Sequence, residues 1–144
     1  MDCIQRLRGG VLTHSPEEMQ LIAMQLAMCL EKEAVLCLHG NLGAGKTTFV
    51  GGLAMAWGIT VPITSPTYTL LNVHEGKRRL LHCDAYRLKN PEEIEALGLE
   101  DFMIAPYCWV IEWPERIENY IPEDALHLYF ESHSDGRRSV HLKS

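Results

Sequence analysis

The chain has 144 residues, 47% of them hydrophobic, and its 13 Lys and Arg against 19 Asp and Glu give a formal net charge of −6. This length and composition suit one hydrophobic core, so we expect residues 1–144 to form a single domain. The negative charge excludes a broad positive field that would hold a long nucleic acid. We therefore expect no DNA binding, and any RNA should be presented by a partner protein.

Cysteine usage and hydropathy indicate the compartment. The five cysteines are odd in number and widely spaced, and no C-x-x-C pair suggests zinc or redox chemistry. The longest apolar stretch, Leu21–Leu30, is interrupted by Gln25 and is too short to span a bilayer. The N-terminus also lacks a signal-peptide pattern. These features predict a cytoplasmic protein without a membrane partner.

The first predicted element is a helix that begins after Ser15. Ser15 is a suitable N-cap, Pro16 fits the first turn, and Glu18 completes the pattern of a capping box. Apolar residues then recur at three- and four-residue spacing, which predicts one buried face and a helix to about Glu31. The residues of this face are Met19, Ile22, Ala23, Leu26, Ala27 and Leu30.

A strand and a second helix follow, separated by a glycine-rich segment. Ala34–Leu38 is almost wholly apolar, as in a central strand of a parallel sheet that is covered on both faces. Lys46–Trp57 is predicted to be helical, with Gly58 ending it. Gly51 and Gly52 each weaken this helix by roughly 1 kcal/mol relative to alanine, which suggests close packing there.

The middle of the chain predicts a hairpin, a short helix and a further strand. Thr67–His74 and Arg79–Cys83 have strand character and are joined by a short turn that contains glycine. Asn90 and the following proline begin a short helix that Gly98 ends. Tyr107–Ile111 is another apolar strand.

The last elements complete the predicted fold class. Ala125–Glu131 and Ser139–Lys143 flank the turn residues 134–136 and are predicted to pair as a final hairpin. Strands and helices that mix in this way indicate an α/β fold of the P-loop NTPase type. Its central sheet should be mostly parallel and flanked by helices, with antiparallel strands at the edges.

The glycine-rich segment carries the strongest functional signal. Gly40–Thr47 matches G-x-x-x-x-G-K-[ST] between a predicted strand and a predicted helix, a context that an ordinary glycine-rich turn seldom reproduces. The pattern predicts ATP and Mg²⁺ as ligands: Lys46 reaches the β- and γ-phosphates, Thr47 binds Mg²⁺, and Thr48 donates to the α-phosphate. The backbone around the phosphates comes from Asn41, Leu42, Gly43, Ala44 and Gly45.

Two carboxylates are candidates for the second part of the site. Asp84 and Glu112 each lie at the end of an apolar strand, where open α/β sheets bind ligands. An acidic strand end that simply faces solvent is the alternative for either residue. We predict that Glu112 serves Mg²⁺, directly or through water, because its strand is the more continuously apolar and Pro114 follows it. Asp84 would then position the attacking water.

Other polar and aromatic residues have two interpretations each. Ser65–Thr69 is rich in hydroxyl groups and could close over the γ-phosphate, or could be a plain loop. Trp113 could stack on adenine, although packing beside a proline is the commoner role. Arg137 and Arg138 could reach phosphate or a partner, or form an exposed hairpin tip. The seven histidines show no metal-ligand spacing.

Four segments together resemble the bacterial TsaE (YjeE) ATPase family in order and approximate spacing. Besides the P-loop they are S-P-T-Y-T-L at residues 65–70, H-x-D-x-Y-R-L at residues 82–88 and E-W-P at residues 112–114. The resemblance spans nearly the whole chain. It implies a role in threonylcarbamoylation of the adenosine beside the anticodon in tRNAs that read codons beginning with A. The resemblance also implies that the chain binds the complex of the TsaD and TsaB proteins. Its ATP hydrolysis would then reset that complex between turnovers.

The resemblance also implies residue roles. Lys46 would hold phosphate, Thr47 and Glu112 would serve Mg²⁺, and Asp84 would assist hydrolysis, while residues 65–70 would form a switch-like segment. By the same resemblance, residues near Thr13 and His14 approach the base, and Arg138 approaches the nucleotide.

Two alternatives remain open from the sequence, and one position departs from the family pattern. Many relatives carry aspartate where Asn41 stands, a variable P-loop position. The same phosphate cradle also suits a small-molecule kinase, although Lys89 is the only basic residue between Leu88 and Trp113, which is too few for an arginine-rich lid. A nucleotide sensor with little turnover is the other alternative.

Overall fold

The computed structural model describes residues 2–41, 43–64 and 70–143. In that part of the chain the helices are α1 (Cys3–Arg8), α2 (Pro16–Ala27) and α3 (Lys46–Ala56), with 3₁₀ helices at Pro91–Leu97, Leu99–Asp101 and Pro114–Tyr120. The strands are β1 (Val11–Thr13), β2 (Glu33–His39), β3 (Leu71–His74), β4 (Arg79–Asp84), β5 (Tyr107–Glu112), β6 (Leu126–Ser132) and β7 (Arg138–Lys143).

These strands form one sheet in the order β1-β7-β6-β2-β5-β4-β3. The four central strands β6, β2, β5 and β4 are parallel, whereas β7, β1 and β3 pair antiparallel with their neighbours. β2 occupies the middle because residues 34–38 are buried on both faces of the sheet. The predicted α/β class, with a mostly parallel centre and antiparallel edges, is confirmed.

Each face of the sheet carries its own hydrophobic core. On one face α2 and α3 pack over alternate residues of the central strands, and Phe49, Leu53 and Leu36 are completely buried there. On the other face the 3₁₀ segments cover the remaining alternate residues, and Ile111 of β5 is buried there in one cluster with Ile117 of the last 3₁₀ helix. Because both faces of the sheet are covered, alternate side chains of each central strand point toward the α2 and α3 face, and this alternation continues to the end of the strand.

Helix α2 ends earlier than its apolar pattern predicts. It stops at Ala27, and the chain then turns toward β2. The buried guanidinium of Arg78 stabilises this turn, because it donates to the carbonyl oxygens of Leu30 (3.2 Å), Glu31 (2.6 Å) and Tyr107 (3.2 Å). The bonds to Leu30 and Glu31 hold the backbone that follows the helix, and the bond to Tyr107 ties it to the start of β5.

The start of α2 also differs in detail from the prediction. Ser15 caps the helix as expected, since its Oγ accepts from the backbone N–H of Glu18. The Glu18 carboxylate accepts from the backbone N–H of His14 instead of that of Ser15, so the predicted capping box is wrong. The first turn of the helix is therefore hydrogen-bonded to His14, the residue before the N-cap Ser15.

Two N-terminal elements were not predicted. α1 is capped by Asp2, whose side chain accepts from the backbone N–H of Gln5, and β1 forms an edge of the sheet beside β7. Each is too short for its periodicity to stand out in the sequence. In the described part of the chain no helix is long and apolar enough to cross a membrane.

Candidate nucleotide-binding site

The predicted P-loop lies between the carboxyl end of β2 and the start of α3. At Gly40 a Cβ atom would come within 2.6 Å of the Phe130 carbonyl oxygen on β6, so this position requires glycine. Helix α3 begins after Gly45, which has a φ of 106° and makes no side-chain capping bond. The positive N-terminal end of α3 therefore faces the loop, as in phosphate sites at helix N-termini.

A cleft of about 280 Å³ opens in front of this helix end. The P-loop side consists of Gly43 and residues 45–48. The start of α2, at residues 14–16 and 19, forms a second side, while Gly136 and Arg138 come from the end of the molecule where β6 turns into β7. Glu112 completes the lining.

Lys46 is buried beside an acidic group. Its Nζ donates to the carbonyl oxygen of Gly40 (2.6 Å) and lies 3.8 Å from Oε1 of Glu112. Burial lowers the pKa of the Lys46 ammonium group, and the carboxylates of Glu112 and Asp84 oppose that shift. The lysine is therefore held at the P-loop by oxygen atoms that phosphate oxygens can replace.

The two predicted acidic residues lie side by side. Asp84 and Glu112 are register partners at the ends of the parallel strands β4 and β5. Asp84 is half-buried, and burial raises the pKa of its carboxyl group although the backbone N–H of Tyr86 donates to it (2.9 Å). Glu112 is only 4% exposed, and its Oε2 lies 2.6 Å from Nε2 of His82.

Trp113, which is predicted to stack on adenine, lies beside Lys46. It is not among the described residues that line the cleft, and its ring centroid lies 4.6 Å from Nζ of Lys46 and 5.0 Å from the ring of Tyr86. The backbone of Trp113 is left-handed, with a φ of 59°, which is uncommon for a non-glycine residue. The indole ring lies next to Lys46 in this conformation, and its stacking on adenine stays a prediction.

The residues expected near the base or elsewhere on the nucleotide divide into two groups. His14 and Arg138 line the cleft, and Nε of Arg138 donates to the Gly43 carbonyl oxygen (3.0 Å). Thr13 is buried, and its Oγ1 donates to the carbonyl oxygen of Arg138 (3.1 Å). Thr13 thus holds β1 against β7 and orients Arg138, and it is not part of the cleft lining.

The remaining predicted residues are placed as follows. Thr47 and Thr48 line the cleft, Ala44 is buried, and Asn41 is exposed with its carbonyl oxygen accepting from the N–H of Ala44. Leu42 and residues 65–69, including the predicted switch-like segment apart from Leu70, lie outside the described residues. The roles assigned to these residues stay predictions.

Sequence reasoning missed several contributors to the site. Ser15, Pro16, Met19 and Gly136 line the cleft although nothing in their local sequence indicates it. His82 contacts Glu112, and here a signal existed: it precedes Asp84 by two residues on the same strand, so both side chains share one face of the sheet.

The fold and the site together define a protein of the P-loop nucleotide-binding class. A parallel sheet delivers the glycine-rich loop and two acidic strand ends to one edge, and the lysine of the loop meets one of the carboxylates there. The family model "Threonylcarbamoyl adenosine biosynthesis protein TsaE" matches residues 13–140. The chain therefore belongs to the TsaE family, whose proteins take part in tRNA threonylcarbamoyladenosine biosynthesis.

Individual relatives agree with this assignment. The chain is 41% identical over 111 residues to the TsaE protein of Treponema pallidum, covering 77% of this chain and 82% of that protein. It is 36% identical over 129 residues to that of Bacillus subtilis (89% and 80% covered) and 34% identical over 141 residues to that of Rickettsia bellii (96% and 97% covered). The crystal structure of Bacillus subtilis YdiB superposes with a TM-score of 0.72 at 33% identity, covering 91% of this chain and 81% of that chain.

Proposed function

We propose that the chain binds ATP with Mg²⁺ in this cleft and hydrolyses it slowly as a cytoplasmic partner of the TsaD–TsaB complex. The assembly would add the threonylcarbamoyl group to the adenosine beside the anticodon in tRNAs that read codons beginning with A. This chain would supply the hydrolysis that resets the complex between turnovers. TsaD and TsaB would present the tRNA, because a net charge of −6 does not favour unaided RNA binding.

One observation carries the proposal: the buried Lys46 is held between the P-loop and Glu112 at the uncapped start of α3. Lys46 can exchange the Gly40 carbonyl oxygen for the β- and γ-phosphate oxygens with a small movement of its ammonium group. The N–H groups of the first turn of α3 can then bind the remaining phosphate oxygens.

The residues present also fit a magnesium ion. The Thr47 hydroxyl and the Glu112 carboxylate offer oxygen donors at the phosphate end of the cleft, and Mg²⁺ prefers oxygen ligands. The ion would neutralise charge that develops on the phosphate oxygens during hydrolysis. Asp84, in register with Glu112, would orient the attacking water toward the γ-phosphorus.

The hydrogen bonds that Arg138 already makes support slow ATP hydrolysis by the isolated chain. Among the described residues it is the only arginine that lines the cleft. Its guanidinium donates to the carbonyl oxygens of Gly43, Gly136 and Arg137. An arginine held in this way is not free to stabilise the transferring phosphoryl group, a contribution worth about 10³–10⁵ in rate in related chemistry. A partner protein would supply or release such a group.

The test measures phosphate release by the purified chain, with and without the TsaD–TsaB complex, together with tRNA modification over several turnovers. We expect slow release of ADP and phosphate alone and faster release in the complex. Lys46→Ala is the control variant, and it should lose Mg²⁺-dependent ATP affinity in calorimetry because it removes the cation that faces the phosphates.

Three results would contradict the proposal. Undiminished ATP affinity in folded Lys46→Ala would remove the P-loop assignment. Transfer of phosphate to a small acceptor instead of water would favour the kinase alternative. Partners that neither bind nor change the rate, with tRNA modification continuing without this chain, would remove the proposed role in the assembly.

A further inference from the structure

His82 is a buried histidine that touches the candidate metal ligand. It lies on β4 with its side chain 0% exposed, directly beside Val110 of β5 and diagonal to Glu112. Its Nε2 lies 2.6 Å from Oε2 of Glu112, a short bond of the kind formed with a carboxylate. We propose that His82 is a positioning residue that holds Glu112 in the orientation needed for hydrolysis, an inference that rests on the proposed function.

The hydrogen-bond geometry assigns the state of the imidazole. A carboxylate only accepts hydrogen bonds, so the hydrogen between these two groups belongs to Nε2 of His82. Nδ1 of His82 is buried and has no hydrogen-bond partner among the described residues. A hydrogen on Nδ1 would be a buried donor without a described acceptor, which is costly. His82 therefore carries its single ring hydrogen on Nε2 and directs it at Glu112.

The need for this contact arises from the second neighbour of Glu112. In the present structure Oε1 of Glu112 faces the Lys46 ammonium at 3.8 Å, while Oε2 faces His82. In the proposed function the Lys46 ammonium group turns to the phosphates. Its electrostatic attraction then acts on the phosphate oxygens as well, so Lys46 holds Glu112 less firmly. His82 remains on the same sheet face, so it keeps Oε2 in place and leaves Oε1 directed toward the cleft. Hydrogen-bonded supports of this kind typically change activity about 10–100-fold when they are removed.

The strand geometry makes this support rigid. His82 and Glu112 sit on adjacent parallel strands, both in the interior of the sheet, and their backbones are fixed by the ladder between β4 and β5. A donor on a loop would allow the carboxylate several orientations, whereas a strand residue restricts it. The neighbouring Asp84 shares the face of His82 but accepts from the Tyr86 backbone instead, so the two carboxylates have separate supports.

The first measurement needs neither nucleotide nor metal. The ¹⁵N shifts of histidine side chains in the wild-type protein report which ring nitrogen carries the hydrogen, and we expect the Nε2–H form for His82. Its signals should shift strongly in Glu112→Gln and little in Asp84→Asn. An Nδ1–H form, or signals that are indifferent to Glu112→Gln, would overturn the contact.

The second measurement compares two replacements at one position. His82→Leu removes the donor, and His82→Gln restores an N–H at about the reach of Nε2. We expect His82→Leu to lower kcat at least about tenfold with KM for ATP changed by less than about threefold, and His82→Gln to recover most of the loss. Urea unfolding of each variant shows whether the fold is retained.

His74→Leu is the matched control, because His74 is a histidine on the neighbouring strand β3 whose Nε2 is also buried without a described partner. We expect its kcat to stay within about twofold of the wild type. Equal losses in His82→Leu and His82→Gln, or an unchanged kcat in His82→Leu, would overturn the positioning role. If the wild-type protein releases no phosphate with its partners, the proposed function fails, and the ¹⁵N result alone decides whether His82 holds Glu112.

Discussion

At the scale of single residues, the carboxylates at the ends of β4 and β5 differ in burial and in partners. Glu112 is buried and faces both Lys46 and His82, whereas Asp84 is half-buried and accepts from a backbone N–H. The buried group has the fixed geometry that a metal ligand needs. The more open one is partly exposed to solvent.

This difference predicts the effect of neutralising Glu112. Glu112→Gln keeps the shape of the side chain but removes its charge, so the fold and much of the ATP affinity should persist. Phosphate release should fall at least about tenfold, which corresponds to about 1.4 kcal/mol in the activation barrier. Single-turnover phosphate release and ATP calorimetry measure the two effects separately.

The companion variant Asp84→Asn tests the division of roles. If Asp84 positions water, its variant should bind Mg²⁺ and ATP normally and hydrolyse slowly. Phosphate release at the wild-type rate in Glu112→Gln, together with an inactive Asp84→Asn, would reverse the two assignments.

The sequence predicted the site where a motif has a fixed spacing and failed where distant segments converge. Lys46, Thr47 and the two acidic strand ends follow from local pattern, because a P-loop and a parallel sheet constrain their positions. Met19 and Gly136 reach the cleft through tertiary packing that no local pattern encodes. The position of Trp113 beside Lys46 depends on its left-handed backbone, a conformation that residue type does not predict.

At the scale of elements, the contact between α2 and α3 depends on one of the two adjacent glycines. A Cβ atom at Gly52 would lie 2.5 Å from the Gln20 carbonyl oxygen and 2.7 Å from Cβ of Ala23. At Gly51 the nearest described atom would be the Gln20 side-chain nitrogen at 3.8 Å, an ordinary contact. The close packing inferred from both glycines therefore belongs to Gly52 alone.

Alanine substitutions should separate the two positions. Gly52→Ala forces backbone atoms of α2 away and should destabilise the protein by about 1–3 kcal/mol, the usual cost of overpacking. Gly51→Ala meets no such obstacle and should gain up to about 1 kcal/mol from helix propensity. Urea unfolding of both variants against the wild type measures the difference. A Gly52→Ala protein as stable as Gly51→Ala would show that the helices separate without cost.

Element types were predictable for strongly patterned segments, and element ends were less so. The apolar run of β2 is typical of a buried strand and the periodic apolar face of α2 is typical of a helix, so both elements were predicted correctly. The end of α2 was not, because the buried guanidinium of Arg78, 47 residues further along than Glu31, holds the turn that follows it. α1 and β1 were missed because each is short and packs against distant segments, α2 and β7, that no local pattern reveals.

At the scale of the whole molecule, partly buried histidines link global stability to pH. His39 ends β2 beside the P-loop, and its Nε2 lies 2.8 Å from Nδ1 of His127 on β6. Burial lowers the pKa of His39, as do His127 and Lys46, while Glu115 acts in the opposite direction. Burial and the nearby His82 also lower the pKa of His74. The folded protein therefore resists protonation of His39 and His74 more than the unfolded chain does.

The sign of the resulting pH dependence follows from linkage. Unfolded histidines take up protons near pH 6.5, while the folded state holds His39 and His74 neutral to lower pH. Unfolding is then accompanied by proton uptake, so the free energy of unfolding falls as the pH drops through this range. The raised pKa of Asp84 acts oppositely, because a carboxyl group that protonates more readily in the folded state stabilises it as the pH falls.

A comparison of variants isolates the histidine contribution from that of Asp84. We expect the urea midpoint of the wild type to be lower at pH 5.5 than at pH 7.5, and His39→Gln to lose less stability over the same interval, because glutamine cannot be protonated and can still hydrogen-bond to His127. His39→Gln with His74→Gln should reduce the dependence further. Asp84 is present in every protein compared, so its effect cancels in the difference, and equal urea slopes would confirm that unfolding exposes the same surface. A midpoint that falls equally in the wild type and in the double variant would show that protonation of other groups governs acid destabilisation.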